Sequence, residues 1–588
     1  MTKKEHGSPT SVEDAIITPD KEDAPSDVHL DLPPTPADPT PPPHHRLRKW
    51  LAGHKKTTAG IGLLLVVIIL AAIPVTRFGI AGLFLKQTFQ VTVLDEQTKQ
   101  PVSSASVQLA NARVQTDNRG KATLKVKPGK ATLDVTKKYY KTSQAKVLVP
   151  ILKQKQAYQV LVRATGRQVP ISVINKVTGK ALAAATIKAG GSEAKTDKDG
   201  RAILVLPAQQ KTATAELSAA NYNSTKADVH VTTQTVKENT FALTPAGTIY
   251  FLSNLNGKID VVKSNLDGTN RQIVVPGTGF ERADDTSLLA SRDWKYLAFK
   301  AVRDNTGLSK LYVISTSDDK LTTADEGDAT FNLVGWYDHT FVYSVFRNKI
   351  TDFQTGRTAL KSYNAASGKL ATLDQTQAEG AAGDWAQQSF TSFYIVPGQV
   401  VYGVNWDYYP ASRVAGKNAS IRSVGVDGQG KKDHKTFELP GISYLASKLY
   451  EPGGVYFAAH PTTGATAFYE FEDNAVKSAP AATTDESFNR DYPTFLLSPS
   501  GERTFWSETR DGKNTLFEGD KNGNDGKQFA TLSEYQPYGW YSDDYIFVSK
   551  GGSELYIMPK GGGTPTKVTD YYRPPVTYRG YGYGYGGF

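Results

Sequence analysis

Gly335-Trp-Tyr-Asp-His-Thr-Phe-Val-Tyr-Ser344 comes back far down the chain as Gly539-Trp-Tyr-Ser-Asp-Asp-Tyr-Ile-Phe-Val-Ser549. Each copy is a polar turn followed by a short strand rich in aromatic and β-branched residues. Ser291-Arg-Asp-Trp-Lys-Tyr-Leu-Ala-Phe299 and Ser498-Pro-Ser-Gly-Glu-Arg-Thr-Phe-Trp506 follow the same plan with a Ser-led turn. Second strands come next, as in Lys310-Leu-Tyr-Val-Ile314, Thr515-Leu-Phe-Glu518 and Glu554-Leu-Tyr-Ile557, and then closing strands such as Gln272-Ile-Val-Val275, Ala371-Thr-Leu373 and Thr566-Lys-Val-Thr569. Strands equivalent to Tyr296-Leu-Ala-Phe299 recur near 249, 341, 400, 455, 504 and 545. Their spacing, roughly 40–60 residues, is that of one four-stranded unit in a radial β repeat.

This pattern predicts a β-propeller of about seven blades over residues 247–575. The Ser498-Pro-Ser-Gly501 turn and the Asn265-Leu-Asp-Gly268 hairpin resemble TolB-type propeller repeats. The resemblance implies the fold and says little about activity, because propellers host many functions. The first copy lacks an opening strand. Either Glu238-Asn-Thr-Phe-Ala-Leu243 borders it, or the segment near Tyr571-Tyr-Arg-Pro-Pro-Val-Thr577 supplies the missing piece, and the second arrangement is expected.

Ahead of this region lies a duplication with an offset of about 80 residues. Val91-Thr-Val-Leu-Asp-Glu-Gln-Thr98 returns as Ile171-Ser-Val-Ile-Asn-Lys-Val-Thr178, and Thr116-Asp-Asn-Arg-Gly120 as Thr196-Asp-Lys-Asp-Gly200. Lys121-Ala-Thr-Leu-Lys-Val-Lys127 and Arg201-Ala-Ile-Leu-Val-Leu206 have the period-2 patterning of half-buried antiparallel strands. Two tandem β-sandwich domains are expected, over 88–166 and 167–246. The Asp/Asn-x-x-Thr turn, the Ala of Ser104-Ala-Ser-Val107 and Ala184-Ala-Thr-Ile187, the Thr-Asp-x-x-Gly hairpin and the late aromatics Tyr139-Tyr140 and Tyr222 resemble carboxypeptidase-regulatory-like and PEGA-like domains, which share a prealbumin-like sandwich. Related surface stalks carry a Lys–Asn cross-link from the first strand. Val93 and Val173 stand at that position here, so none is expected. Asp117, Asp197 and Asp199 read as turn formers that bond nearby backbone N–H groups, rather than as metal ligands.

The run Ala59-Gly-Ile-Gly-Leu-Leu-Leu-Val-Val-Ile-Ile-Leu-Ala-Ala-Ile-Pro-Val-Thr76 carries no charge. At ~1.5 Å per residue in a helix it nearly crosses a bilayer's ~30 Å of hydrocarbon. Arg46, Arg48, Lys49, Lys55 and Lys56 precede it, against Arg77 and Lys86 after it, which places the N-terminus in the cytoplasm and the remainder outside. A cleaved signal peptide is the competing reading, but a long tail comes before the charged segment and the apolar core is longer than usual. The Pro-rich stretch 1–58 is too poor in apolar residues to fold and reads as a disordered cytoplasmic tail, with 77–87 a linker. The Gly/Tyr-rich 576–588 is low-complexity sequence.

The 588 residues include no cysteine, which for an exported chain of this size favours a bacterial surface over a eukaryotic secretory route. The net charge of +10 is uneven: residues 1–45 carry an acidic excess, while 86–247 carry a basic one of about fifteen charges. A basic segment outside the membrane could meet anionic lipid or acidic wall polymer. No nucleic-acid partner and no cofactor is expected.

No Gly-x-Ser-x-Gly or His-Glu-x-x-His pattern occurs, and His230, His339, His434 and His460 read as isolated loop residues. Asp520-Lys-Asn-Gly-Asn-Asp-Gly526 falls short of a calcium loop. The expectation is a chain without catalytic or metal-binding residues that is not an enzyme. It would act as a membrane-anchored surface protein binding a protein or glycan, with an enzyme sited in the propeller channel, or an envelope scaffold, as alternatives. The binding candidate is the long segment Val404-Asn-Trp-Asp-Tyr-Tyr-Pro-Ala-Ser-Arg-Val-Ala-Gly-Lys-Asn-Ala419, through Trp406, Tyr408, Tyr409 and Arg413. These residue types anchor protein interfaces or stack on sugars.

Overall fold

The computed structural model describes residues 85–572 except 233–238, 352, 411–416, 439–443, 452–453, 481–482, 485–495, 511, 522, 524 and 530–531; before residue 85 it describes only 60, 63–66, 69, 78 and 81. The tail 1–58, Arg413, the Gly/Tyr-rich 576–588 and most of the run 59–76 therefore lie outside the described residues. The chain divides into two compact units, 1–84 and 85–588. In the first, the described positions are helical, and Leu63–Val66 and Ile69 are exposed. No helix among the described residues is long and apolar enough to cross a membrane, so the anchoring helix expected at 59–76 is not among the described elements.

The second unit is all β among its described residues, and it begins with two modules of matching topology. Gln87–Asp95 lies between Lys121–Val126 and Tyr158–Val162, facing a four-stranded sheet in the order Ala112–Gln115, Ser106–Leu109, Gly129–Thr136, Ser143–Val149. Arg167–Asn175 lies likewise between Arg201–Leu206 and Thr240–Leu243, facing Ser192–Lys195, Thr186–Ala189, Ala213–Ser218 and Thr225–Val229. Strict alternation explains each sheet: in Lys121–Val126 every second residue is buried, so one face meets the module's apolar core while the other keeps its lysines in water. Val93 and Val173 sit fully buried in the two cores.

The duplication reaches down to single hydrogen bonds. The Thr116 hydroxyl accepts from Ala105 N at 2.9 Å and donates to Val102 O at 2.6 Å, and Thr196 does the same with Ala185 N and Leu182 O at the same distances. Asp117 accepts from Arg119 N and Lys121 N, and Asp197 from Asp199 N and Arg201 N. Both are turn formers. Asp199 instead meets Lys198 at the surface.

From Thr248 on, the chain forms seven sheets in succession, a propeller-like fold. The first has three strands, the fourth has six, and the others have four. In five of the seven sheets the second strand carries the aromatic segment seen in the sequence, for example Tyr296–Val302, Thr340–Arg347 and Tyr545–Lys550; in the first sheet it lies on Thr248–Ser253 and in the fourth on Gln399–Tyr409. Phe251, Phe299, Phe341, Phe457, Phe505 and Phe547 on such strands are fully buried between neighbouring sheets. Thr240–Leu243 pairs with Arg167–Asn175 and so belongs to the second module, not to the first sheet. The last strand, Thr566–Asp570, is followed by Tyr572, whose N–H donates to Leu252 O of the first sheet at 2.8 Å. Arg271 of the first sheet donates to the Thr569 hydroxyl at 2.9 Å and to Ser253 at 2.6 Å.

Trp294, in the turn after the second sheet's first strand, also ties the two ends of the series together. Its indole N–H reaches Trp540 O of the seventh sheet at 3.0 Å, and its ring meets Phe547 edge-on at 5.8 Å and Tyr541 at 5.9 Å.

The modules are docked by equivalent residues. Asp95 Oδ1 caps its own turn by accepting from Gln97 N and Thr98 N, and its Oδ2 accepts from Gln168 Nε2 of the second module at 2.7 Å. Asn175, its counterpart, caps Val177 N and Thr178 N and donates to the hydroxyls of Tyr222 at 2.9 Å and Tyr545 of the seventh sheet at 3.0 Å. Val177 is buried within the core shared by the first and seventh sheets. Between the modules, the Lys137 ammonium donates to Ser103 O and to Glu193 O, and burial lowers its pKa to about 8.

Candidate functional site

The fourth sheet departs from the common plan. Its long strand Gln399–Tyr409 pairs at its near end with Tyr394–Val396 and at its far end with Asp384–Phe390, which in turn pairs with Ala378–Ala381. The far end is thus an extra strand pair beyond the ordinary sheet. Gly383, with φ +91°, sits in the two-residue turn of the hairpin, and Gly380 permits the close approach of its strands: its φ is +100°, and a Cβ there would lie 2.3 Å from Asp384 O.

The register sorts side chains onto two faces. Trp385 lies opposite Tyr409, and Gln387 opposite Asp407. On the other face Ala386 lies opposite Tyr408 and Gln388 opposite Trp406. This second face is used up within the chain. Lys417 lies over the Trp406 ring at 5.5 Å and pairs with Glu379 at 2.8 Å. The Tyr408 hydroxyl accepts from Lys417 N at 3.1 Å and donates to Lys417 O, while Gln388 Oε1 accepts from Gln377 N at 3.0 Å.

The first face is open. Trp385 and Tyr409 stack with centroids 5.8 Å apart and planes 15° from parallel, and Tyr409 is 53% exposed. Gln387 is only 5% exposed, yet its side-chain amide has no hydrogen-bond partner among the described residues. Asp407 is exposed and unpaired among them. Two residues further in, Asn405 binds the fifth sheet through Leu445, donating to its O at 2.7 Å and accepting from its N at 2.9 Å. This exchange fixes the root of the extension on its neighbour.

Of the four residues singled out by sequence, Tyr409 lies on the open face and Trp406 and Tyr408 on the engaged one. All three are on a strand rather than a loop. Sequence reasoning missed Trp385 and Gln387, because Ala378-Glu-Gly-Ala-Ala-Gly-Asp-Trp-Ala-Gln-Gln388 has too little hydropathy contrast to reveal a strand pair.

The histidines and serines offer less. The two tetrapeptides of Ser-x-x-Lys pattern, Ser143–Lys146 and Ser192–Lys195, lie on strands of the modules rather than on a helix. His434 and His460 lie on strands too. His434 Nε2 is 2.8 Å from the Ser423 hydroxyl, but Ser423 is 2% exposed, beyond a substrate's reach. On the turns that follow the first strands of the second and third sheets, His339 Nε2 lies 3.3 Å from Asp293 Oδ2. Burial opposes Asp293's ionisation, but bonds from Lys295, Ser291 and His339 outweigh it and hold the pKa at about 2. No group of three or more His, Asp or Glu able to hold a metal occurs among the described residues.

No family model and no curated protein matches the chain. Solved structures do. The β-propeller domain of the Trilobed protease from Pyrococcus furiosus is 10% identical, with 62% of this chain and 95% of that one covered and a TM-score of 0.30. Pyrococcus horikoshii acylaminoacyl peptidase is 12% identical over 62% of this chain at a TM-score of 0.31; the chain spans about half of that enzyme, 51%. TolB from Acinetobacter baumannii is 14% identical, with 53% of this chain and 76% of that one covered and a TM-score of 0.23. At these identities the likeness is one of fold. It corrects the expectation that the chain is not an enzyme, since propellers of peptidases are among the similar structures and a missing sequence motif does not decide the matter. What the comparisons support is a mainly β chain with a propeller-like fold similar to peptidase and TolB propellers.

Proposed function

We propose that this is a membrane-anchored binding protein of a bacterial surface, in which the open face on the fourth sheet receives a protein or glycan ligand. The unequal treatment of the two faces of one strand pair carries this reading. A purely structural insertion would engage both, whereas here an aromatic stack, an amide and a carboxylate stand together without partners. The uncharged run 59–76 and the basic residues before it support an anchor with the N-terminus in the cytoplasm. The lysine-rich outer strands of the modules suit contact with anionic headgroups or wall polymer.

A photo-reactive side chain placed at position 409 should cross-link envelope material in cells, and the same label at 406 should not. Equal yields at the two positions would remove the site. Separately, protease added to intact cells should digest the 85–588 portion, and deletion of 59–76 should release the chain from the membrane fraction.

The Asp293–His339 pair, on turns of adjacent sheets, favours a second reading, an extracytoplasmic enzyme acting at that rim. His339→Ala would then abolish turnover of a substrate that the Trp385→Ala variant still processes.

A further inference from the structure

We propose that the Trp385–Tyr409 face is built for a neutral carbohydrate chain. This inference rests on the binding reading above and names its ligand class. The backbone of Asp384–Phe390 is already paired on both edges, so on the face above it there is no free ladder to offer a ligand. Recognition must therefore run through side chains.

The side chains available are of two kinds. Trp385 and Tyr409 stack, and the part of Tyr409 left exposed, 53%, offers an apolar ring surface that suits the C–H face of a pyranose ring. Beside them Gln387 offers an amide that both donates and accepts, and Asp407, directly opposite it, offers a carboxylate that only accepts. Sugar hydroxyls, each at once donor and acceptor, can satisfy both. The Gln387 amide bonds no described residue and is not shut away from solvent, so a sugar hydroxyl that reaches it takes the place of water. Charge argues the same way. Asp407 is the single unpaired carboxylate on this face among the described residues, too little to select a polycationic peptide, and no unpaired cation among them stands on it to attract an acidic ligand.

The test uses the purified full chain in detergent, titrated by calorimetry with cellotetraose, N,N′,N″,N‴-tetraacetylchitotetraose and mannotetraose, and with hexalysine as the peptide probe. At least one oligosaccharide should bind with little dependence on salt. Trp385→Ala and Gln387→Ala should each weaken it about tenfold or more, Trp385→Phe should largely restore it, and Trp406→Ala should leave it within about twofold. Circular dichroism and urea unfolding confirm that the variants are folded. Binding that survives Trp385→Ala, or absence of binding by all three sugars, overturns the carbohydrate inference. Salt-sensitive hexalysine binding that Asp407→Asn abolishes would keep the face as a binding site while giving it a cationic partner. Failure of every probe, together with equal cross-linking at 406 and 409, would remove the binding reading as well.

Discussion

Asp374 holds three donors from the next sheet although only 4% of it is exposed: the Tyr402 hydroxyl at 2.6 Å, Arg422 Nη1 at 2.8 Å and Lys431 Nζ at 3.1 Å. Asp325, in the preceding sheet, is bonded in the same way by Tyr343 at 2.7 Å and Lys361 at 2.6 Å. Tyr–Asp–cation contacts thus fasten the second sheet to the third and the third to the fourth. Burial and then the neighbouring carboxylates push both tyrosines' pKa values upward. Burial works against ionisation of Asp374, but the bonds from Tyr402, Arg422 and Lys431 prevail and lower its pKa. A lowered carboxylate pKa stabilises the fold above the unfolded value, ~3.9, and that contribution disappears as pH falls through the folded one. Asp374→Asn should therefore cost about 3 kcal/mol at neutral pH. The cost stays at the low end because Arg422 keeps Asp433 at 2.7 Å. The variant should also show a weaker acid-dependent decline than the wild type, as urea unfolding at pH 3 and pH 7 would reveal. Tyr402→Phe, leaving both cations in place, should cost only about 1 kcal/mol.

At the level of strands and modules, the joint at Asn175 lends itself to experiment. Asn175→Ala removes a turn cap and both tyrosine contacts, so amide exchange at Val177 and Thr178 and along Tyr545–Lys550 should speed up while that in the first module stays unchanged. Equal protection in the variant would show the docking to rest on Val177 alone. Asp267 supports the same joint, bonded by Thr244 at 2.7 Å and Lys176 at 3.1 Å. Burial resists its ionisation, but hydrogen bonds from Thr269, Thr244 and Lys176 hold its pKa at about 2, so this support is lost as pH falls from about 4 toward 2. The repeated strands were legible because Tyr296-Leu-Ala-Phe299 and its equivalents place bulky apolar residues where both faces of a strand are covered. The turn roles of Asp117 and Asp197 were legible too, since short-range bonding needs only local sequence. The strand pair around Trp385 was not, because its Ala, Gly and Gln carry no period. Nor were the joints: Asp95 and Asn175 look like ordinary turn residues until a partner distant in sequence is folded against them.

For the molecule as a whole, the sheet series depends on how its ends meet. Trp294 reaches past the first sheet to the seventh, and Tyr572 adds one backbone bond. Trp294→Ala should destabilise the propeller by up to about 3–5 kcal/mol, with a lower urea m-value if the first sheet detaches before the rest. A single unshifted transition would show that the bond at Tyr572 suffices. The arrangement of the two modules has a mechanical corollary. In each, the first and last strands lie side by side and run parallel, Val91 beside Tyr158 through Asp95 beside Val162, and Ser172 beside Thr240 through Asn175 beside Leu243. The polypeptide enters each module at one end of this pair and leaves at the other. Tension along the backbone is then shared among all the rungs between the two strands at once, instead of peeling them one by one, so a tug on the propeller meets its greatest resistance in the first two modules.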